Sequence, residues 1–251
     1  MSKEIIAYKD VCKRFGSKEI YTDLNLGIYQ GETLCIIGGS GTGKSVMMKM
    51  LVGLLTPDSG DILAFGNSIV GYTEKDWLGI RRRIAMLFQG GALFDSLNVA
   101  ENIQFPLVEH KWGTAGERSK RVTEVLEMVG LPGVETLRPS ELSGGMRKRV
   151  ALARSIAIQP EVLLYDEPTT GLDPISIRRI NGVILRLQEQ LGVTSLVVTH
   201  EMPSAFTIAN RIAMVKDCAI GFVGTPEEAK ASPLNWLQEF IAGGAGVLQD
   251  K

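Results

Sequence analysis

ETLCIIGGSGTGKSVMMKML, residues 32–51, decides how the chain is read. An apolar run ends in two glycines, and a helical pattern follows from about Lys44 to Leu54. Gly38–Ser45 fits G-x-x-x-x-G-K-[ST] between a strand and a helix, the context that pattern requires. Gly38, Gly39, Ser40, Gly41, Thr42 and Gly43 would form a cradle whose successive N–H groups turn toward phosphate. The helix behind it adds the positive end of its dipole. Lys44 would place a point charge on the β- and γ-phosphates, and Ser45 a hydroxyl on Mg²⁺.

Such a site needs an acid at the end of a buried strand, and VLLYDEP supplies one. Asp166 would hold Mg²⁺, and Glu167 would polarise an attacking water. TSLVVTH ends on His200; ligands of open α/β sheets sit beyond the carboxyl ends of strands, so His200 belongs near the γ-phosphate. Gln89 also follows an apolar strand, IAMLF, and could bridge Mg²⁺ and the water.

Around these motifs, IIAYKDV and EIYTDLNLGIY alternate as half-buried antiparallel strands do. GDILAFGN reads as a further strand. After Pro160, strands that are continuous apolar runs alternate with helices, which implies a parallel sheet covered on both faces. RIAMVKDCAIGFVG reads as a hairpin and PEEAKASPLNWLQEFIAG as one closing helix, with GGAGVLQDK a frayed tail. From about Gln89 to Pro160 the pattern is mostly helical: ERSKRVTEVLEMVG puts Val122, Leu126 and Val129 on one face, and a second helix spans about Gly144 to Ile158. LSGGM, Leu142–Met146, opens that second helix with a serine and two glycines, a further anion site. One cradle already serves the chain's own nucleotide, so this one suggests another subunit's.

The composition is ordinary: 251 residues, 45% hydrophobic and 22% charged, enough for one large domain or two packed lobes. A net charge of −1 makes no demand for a nucleic-acid partner. The clusters Arg81–Arg83 and Arg147–Arg149 read as solvated helix faces. Cys12, Cys35 and Cys218 read as buried thiols of a reducing compartment. The N-terminus is too charged for a signal peptide, and no apolar run approaches the roughly 18 residues of a membrane span.

Together these motifs resemble the ATP-binding-cassette family, in that family's order and over nearly the whole chain. The resemblance implies an α/β fold: a P-loop NTPase (RecA-like) core with an antiparallel β-subdomain and an inserted helical subdomain. It implies one nucleotide-binding domain over 1–251, with the core in 1–88 and 160–225, the helical subdomain in 89–159, and a C-terminal helix and tail in 226–251. Phe15 matches the adenine-stacking aromatic. Two copies would sandwich two ATPs head to tail, each held between one cradle and the other chain's Ser143, Gly144 and Gly145. Asp173 would communicate across that interface, and Mg²⁺ would contact Ser45, Gln89 and Asp166. The family signature usually ends in glutamine where this chain has Met146, so a side-chain amide contact there is absent.

The stretch FQGGALFDSLNVAENI, from Phe88 to Ile103, resembles the form found in ATPases of MCE-type, Mla-like lipid transporters. That implies an integral-membrane permease meeting the segment after Gln89, an MCE-domain lipid-handling protein and sometimes a STAS-domain regulator. The chain would then sit at the cytoplasmic face of an inner membrane through its permease. Leu93 and Phe94 are either packing within the helical lobe or partner-facing, and apolar groups on a loop favour the partner. A small-solute importer of the amino-acid type is the alternative cargo reading. A soluble cassette protein acting on ribosomes or DNA would be expected to carry two cassettes or a long coiled-coil insertion, and neither is seen.

Overall fold

A computed structural model describes residues 3–243; the tail from 244 on lies outside the described residues. In chain order the elements begin β1 (Glu4–Phe15), β2 (Lys18–Tyr29), β3 (Thr33–Ile37), α1 (Lys44–Leu51), β4 (Ser59–Ala64) and β5 (Asn67–Ser68). Next come α2 (Glu74–Arg83), β6 (Ile84–Leu87), α3 (Val99–Glu109), α4 (Ala115–Met128), α5 (Gly144–Ile156), β7 (Val162–Asp166), α6 (Pro174–Leu191) and β8 (Thr194–Val198). The chain closes with α7 (Met202–Ile208), β9 (Arg211–Lys216), β10 (Ala219–Gly224), α8 (Pro226–Ala231) and α9 (Asn235–Ile241). The described residues divide into two compact units, 3–71 with 198–243, and 72–197.

In the first unit the strand order is β5-β4-β1-β2-β10-β9-β3. β1 runs antiparallel to β2 and β4, β9 antiparallel to β10, and β3 parallel to β9. The pairing follows the sequence pattern. β3 is buried at every position and apolar after Thr33, whereas β2 alternates buried and more exposed residues from Asp23 on. In the second unit β6 pairs with β7 in parallel, and helices α3, α4 and α5 pack on one another. Buried Arg121 of α4 donates to the carbonyls of Ile156 and Ala157, which ties α4 to the end of α5. Among the described residues no helix is long and apolar enough to cross a membrane.

Several expectations change. α1 stops at Leu51 because Gly53 takes φ 71° and the Leu54 N–H turns back to Lys49 O at 2.9 Å, a left-handed helix stop. α5 likewise ends at Ile156, with Gln159 at φ 56°. The single closing helix is two, α8 and α9, broken around Pro233, whose missing N–H cannot continue a helix. α3, which pattern reading passed over, begins with the capping pair Asn98 and Glu101.

Of the cysteines only Cys35 is buried. Cys12 lies at a register shift in β1 and Cys218 in the β9–β10 turn at φ 60°, so both are half-buried and donate to carbonyls of Thr22 and Glu19. Of the basic run 147–149, Arg147 is exposed as expected and its two neighbours are not. Lys148 is buried, Arg147 donates to Leu142 O, and Arg149 donates to Val129 O and Gly130 O. Arg81 and Arg83 also have partners, in Glu74 and Glu161.

Candidate nucleotide and hydrolysis site

The first unit carries the cradle. β3 delivers the chain to Gly38, where a β-carbon would lie 2.9 Å from the carbonyl of Val215 in β9. The Thr42 hydroxyl donates to Gly39 O at 2.9 Å and folds the loop on itself. Gly43 caps α1 at φ 98°, and having no side chain it cannot occupy the first-turn N–H groups. Helices α3, α4 and α8 differ: each begins with Asn or Thr accepting from the N–H of a glutamate three residues on. Lys44 is buried, and its ammonium donates to Gly38 O and Gly39 O at 2.8 and 2.7 Å, within the loop that would receive the phosphates.

His200 belongs to the same unit and is exposed. The Thr199 N–H before it donates to Ile36 O in β3, and the Glu201 N–H after it donates to the Thr199 hydroxyl. Its backbone is thus pinned to the strand that leads into the cradle. Phe15 ends β1 with 46% of its surface exposed, and the Lys13 ammonium lies 5.3 Å from its ring centroid. An exposed flat ring suits stacking.

The second unit carries the rest. Asp166 is the last residue of β7 and is buried; Glu167 follows at φ 52°, in the left-handed region. The Thr170 hydroxyl donates to Glu167 Oε2 at 2.8 Å. Gln89 is exposed just after β6, inside a turn closed by Gly91 N–H to Phe88 O. Ser143 is the N-cap of α5 and accepts from the Met146 N–H. Gly144 and Gly145 follow, and a β-carbon on Gly145 would meet the Ser176 hydroxyl at 2.8 Å, so glycine is what lets α6 approach. Asp173 is exposed and caps α6, accepting from Ile175 N–H, Ser176 N–H and the Ser176 hydroxyl. The Ser176 hydroxyl, followed by its N–H, holds the Asp173 carboxyl below the usual carboxylate range.

Sequence reading missed two organising side chains. Asn102, fully buried, donates to the carbonyls of Phe94, Leu97 and Asn98 and accepts from Phe94 N–H. Arg154 donates to Gly91 O and Ala92 O and lies over the Phe94 ring at 5.8 Å. The segment after Gln89 is therefore held by its backbone while Phe94 stays out and Leu93 is half-buried. Phe94 and Phe105 pack at 4.7 Å between centroids yet are 42% and 46% exposed, with Val108 of the same helix 55% exposed. Asn102→Ala is expected to lower stability by about 2–4 kcal/mol, because buried carbonyls lose their donor. Urea denaturation checks this.

Lys148 is a further buried cation that sequence reading missed. Its ammonium donates to Glu167 O at 3.2 Å and Thr170 O at 2.7 Å. Burial pushes it below the ordinary lysine value, and the Glu167 carboxylate opposes that shift. Nothing in the run MRKRV distinguishes it from its neighbours.

Residues 21–170 match the family model described as ABC transporter. The chain is 38% identical over 243 residues to "Intermembrane phospholipid transport system ATP-binding protein MlaF" of Haemophilus influenzae, covering 97% of this chain and 92% of that protein. It is 40% identical over 238 residues to "Probable ribonucleotide transport ATP-binding protein mkl" of Mycobacterium leprae, covering 95% and 69%. Among solved structures, the dimeric ATP-binding cassette MJ0796 in a post-hydrolysis state bound to ADP and Pi superposes with a TM-score of 0.81 at 32% identity, over 88% of this chain and 99% of that one.

Proposed function

The chain belongs to the ABC transporter family as an ATP-binding, ATP-hydrolysing cassette, and on that premise we propose that it powers an MCE-type phospholipid transporter from the cytoplasmic face of an inner membrane. The near full-length likeness to the H. influenzae phospholipid-transport protein carries the cargo reading. ATP lies on the cradle Gly38–Ser45, with its adenine against Phe15 and Lys44 on the β- and γ-phosphates. Glu167 takes the proton of the attacking water. His200 and Gln89 orient the water and the γ-phosphate.

The oxygen donors fit Mg²⁺: Asp166 presents a carboxylate at the end of a buried strand, and Ser45 a hydroxyl in the first turn of α1, the hard ligands that ion takes. Gln89, exposed beyond β6, adds an amide oxygen. These residues would hold the ion, which would supply neutralisation of phosphate charge. A second copy, packed head to tail, supplies Ser143, Gly144 and Gly145 to each ATP, with Asp173 at the joint. Met146 leaves the backbone N–H groups of that helix start in place, so the loss of an amide is tolerated.

The permease meets the surface made by Leu93, Phe94, Phe105 and Val108. Aromatic rings held in place yet nearly half exposed are what a helix-end contact uses. An MCE-domain protein and a STAS-domain regulator complete the complex. The second reading, a small-solute importer, is favoured by the M. leprae relative, whose description concerns ribonucleotides. Co-purification separates them: an MCE-domain protein supports lipid transport, and a soluble solute-binding protein supports the importer. Changing Leu93 and Phe94 together to serine is expected to weaken capture of the permease at least tenfold and leave ATP affinity within about twofold, since hot-spot aromatics contribute 2 kcal/mol or more. Loss of capture together with unfolding of the isolated subunit and loss of ATP binding would make the two residues core.

A further inference from the structure

We propose that Lys148 is a positioning residue for hydrolysis, holding the turn that carries Glu167 against the helix that begins at Ser143. The inference rests on Glu167 as the base. Glu167 is not glycine, yet it sits at φ 52°. That conformation costs a non-glycine residue about 1–2 kcal/mol and persists only where surroundings enforce it. Two groups enforce it from inside the turn: Thr170 N–H donates to Glu167 O at 3.3 Å, and the Thr170 hydroxyl donates to Glu167 Oε2 at 2.8 Å.

Lys148 is the contribution from outside. Its Nζ reaches Glu167 O at 3.2 Å and Thr170 O at 2.7 Å, so one ammonium clamps both ends of the turn. It is 9% exposed. A buried cation is tolerated where carbonyl oxygens take its hydrogens, and these two do so. Lys148 lies on α5, whose N-cap is Ser143. Farther along the same chain Gly145 packs on Ser176 and Gly144 on Leu172. The helix start that serves one nucleotide and the carboxylate that acts as base at the other are thereby joined through one side chain. A shift of α5 on dimer closure is passed to Glu167 through Lys148.

The test uses the intact protein in its transporter complex, with steady-state ATPase kinetics, ATP affinity and melting temperature for Lys148→Met, Lys148→Arg and Glu167→Gln. Methionine keeps the length and removes the donors; arginine keeps both reach and donors. Lys148→Met is expected to lower kcat about 30- to 100-fold, the scale of a base misplaced by about 1 Å, with KM and ATP affinity within about threefold. Lys148→Arg is expected to restore kcat to within about threefold of the parent. A Lys148→Met kcat within threefold of the parent overturns the proposal. So does an equal loss in both variants accompanied by an equal fall in melting temperature, which assigns Lys148 to folding alone. Surviving turnover in Glu167→Gln would sink the base assignment instead; loss there with normal Lys148→Met sinks only the positioning role.

Discussion

Glu167→Gln is expected to reduce ATP turnover by at least about 100- to 10,000-fold, the range attributed to a general base, while ATP still binds. Glutamine has the same shape as glutamate and can still accept from the Thr170 hydroxyl through its amide oxygen. The turn, the left-handed conformation and the Lys148 contacts to main-chain oxygens are therefore kept. What is lost is the capacity to take a proton. ATP-bound chains should accumulate as dimers, visible by light scattering, with phosphate release near background in a single-turnover assay. Turnover within tenfold of the parent would remove Glu167 from the role and move the search to His200 and Gln89.

Gly43→Ala should fail one step earlier, at binding. Gly43 sits at φ 98° before α1, where an L side chain is strained. Its β-carbon would collide with Ile20 Cγ2 and come within 3.2 Å of the Tyr21 ring, and both are buried side chains of β2. Strain of about 1–2 kcal/mol adds to overpacking of about 1–3 kcal/mol. We expect ATP affinity to fall at least 100-fold by isothermal titration, with a lower melting temperature in the absence of nucleotide. Gly39→Ala is the internal control for the second readout. Its β-carbon would meet Thr42 Cγ2 at an ordinary 3.5 Å, so its melting temperature should match the parent. Equal melting temperatures for all three proteins would mean that the loop relaxes freely around Gly43.

The parts of the fold that were legible before any coordinates share a property: their information is local. Gly38–Ser45 specifies a cradle because glycine alone tolerates the backbone angles and the close approaches found there. The continuous apolar runs of β3, β7 and β8 announce strands buried at every position. Asp173-Pro174 starts α6 because an aspartate caps and a proline suits the first helical turn. The misses are of two kinds, local signals that were under-read and burial that no local signal announces. One closing helix was expected although Pro233 stands within it, so a local breaker was under-weighted. α3 was passed over although Asn98 and Glu101 form a capping pair in plain sight. Three basic residues in a row looked solvated because most such residues are.

The sequence by itself determined that this chain folds a glycine-rich strand-to-helix loop, an acid-tipped strand and a second glycine-led helix start, since each is written in neighbouring residues. Tertiary structure decided which polar side chains leave water. Lys148 and Arg121 are buried because carbonyls distant in sequence, at Thr170 and Ile156 among others, stand ready to replace their lost hydration. That compensation comes from the meeting of separate segments and exists only once the chain has folded.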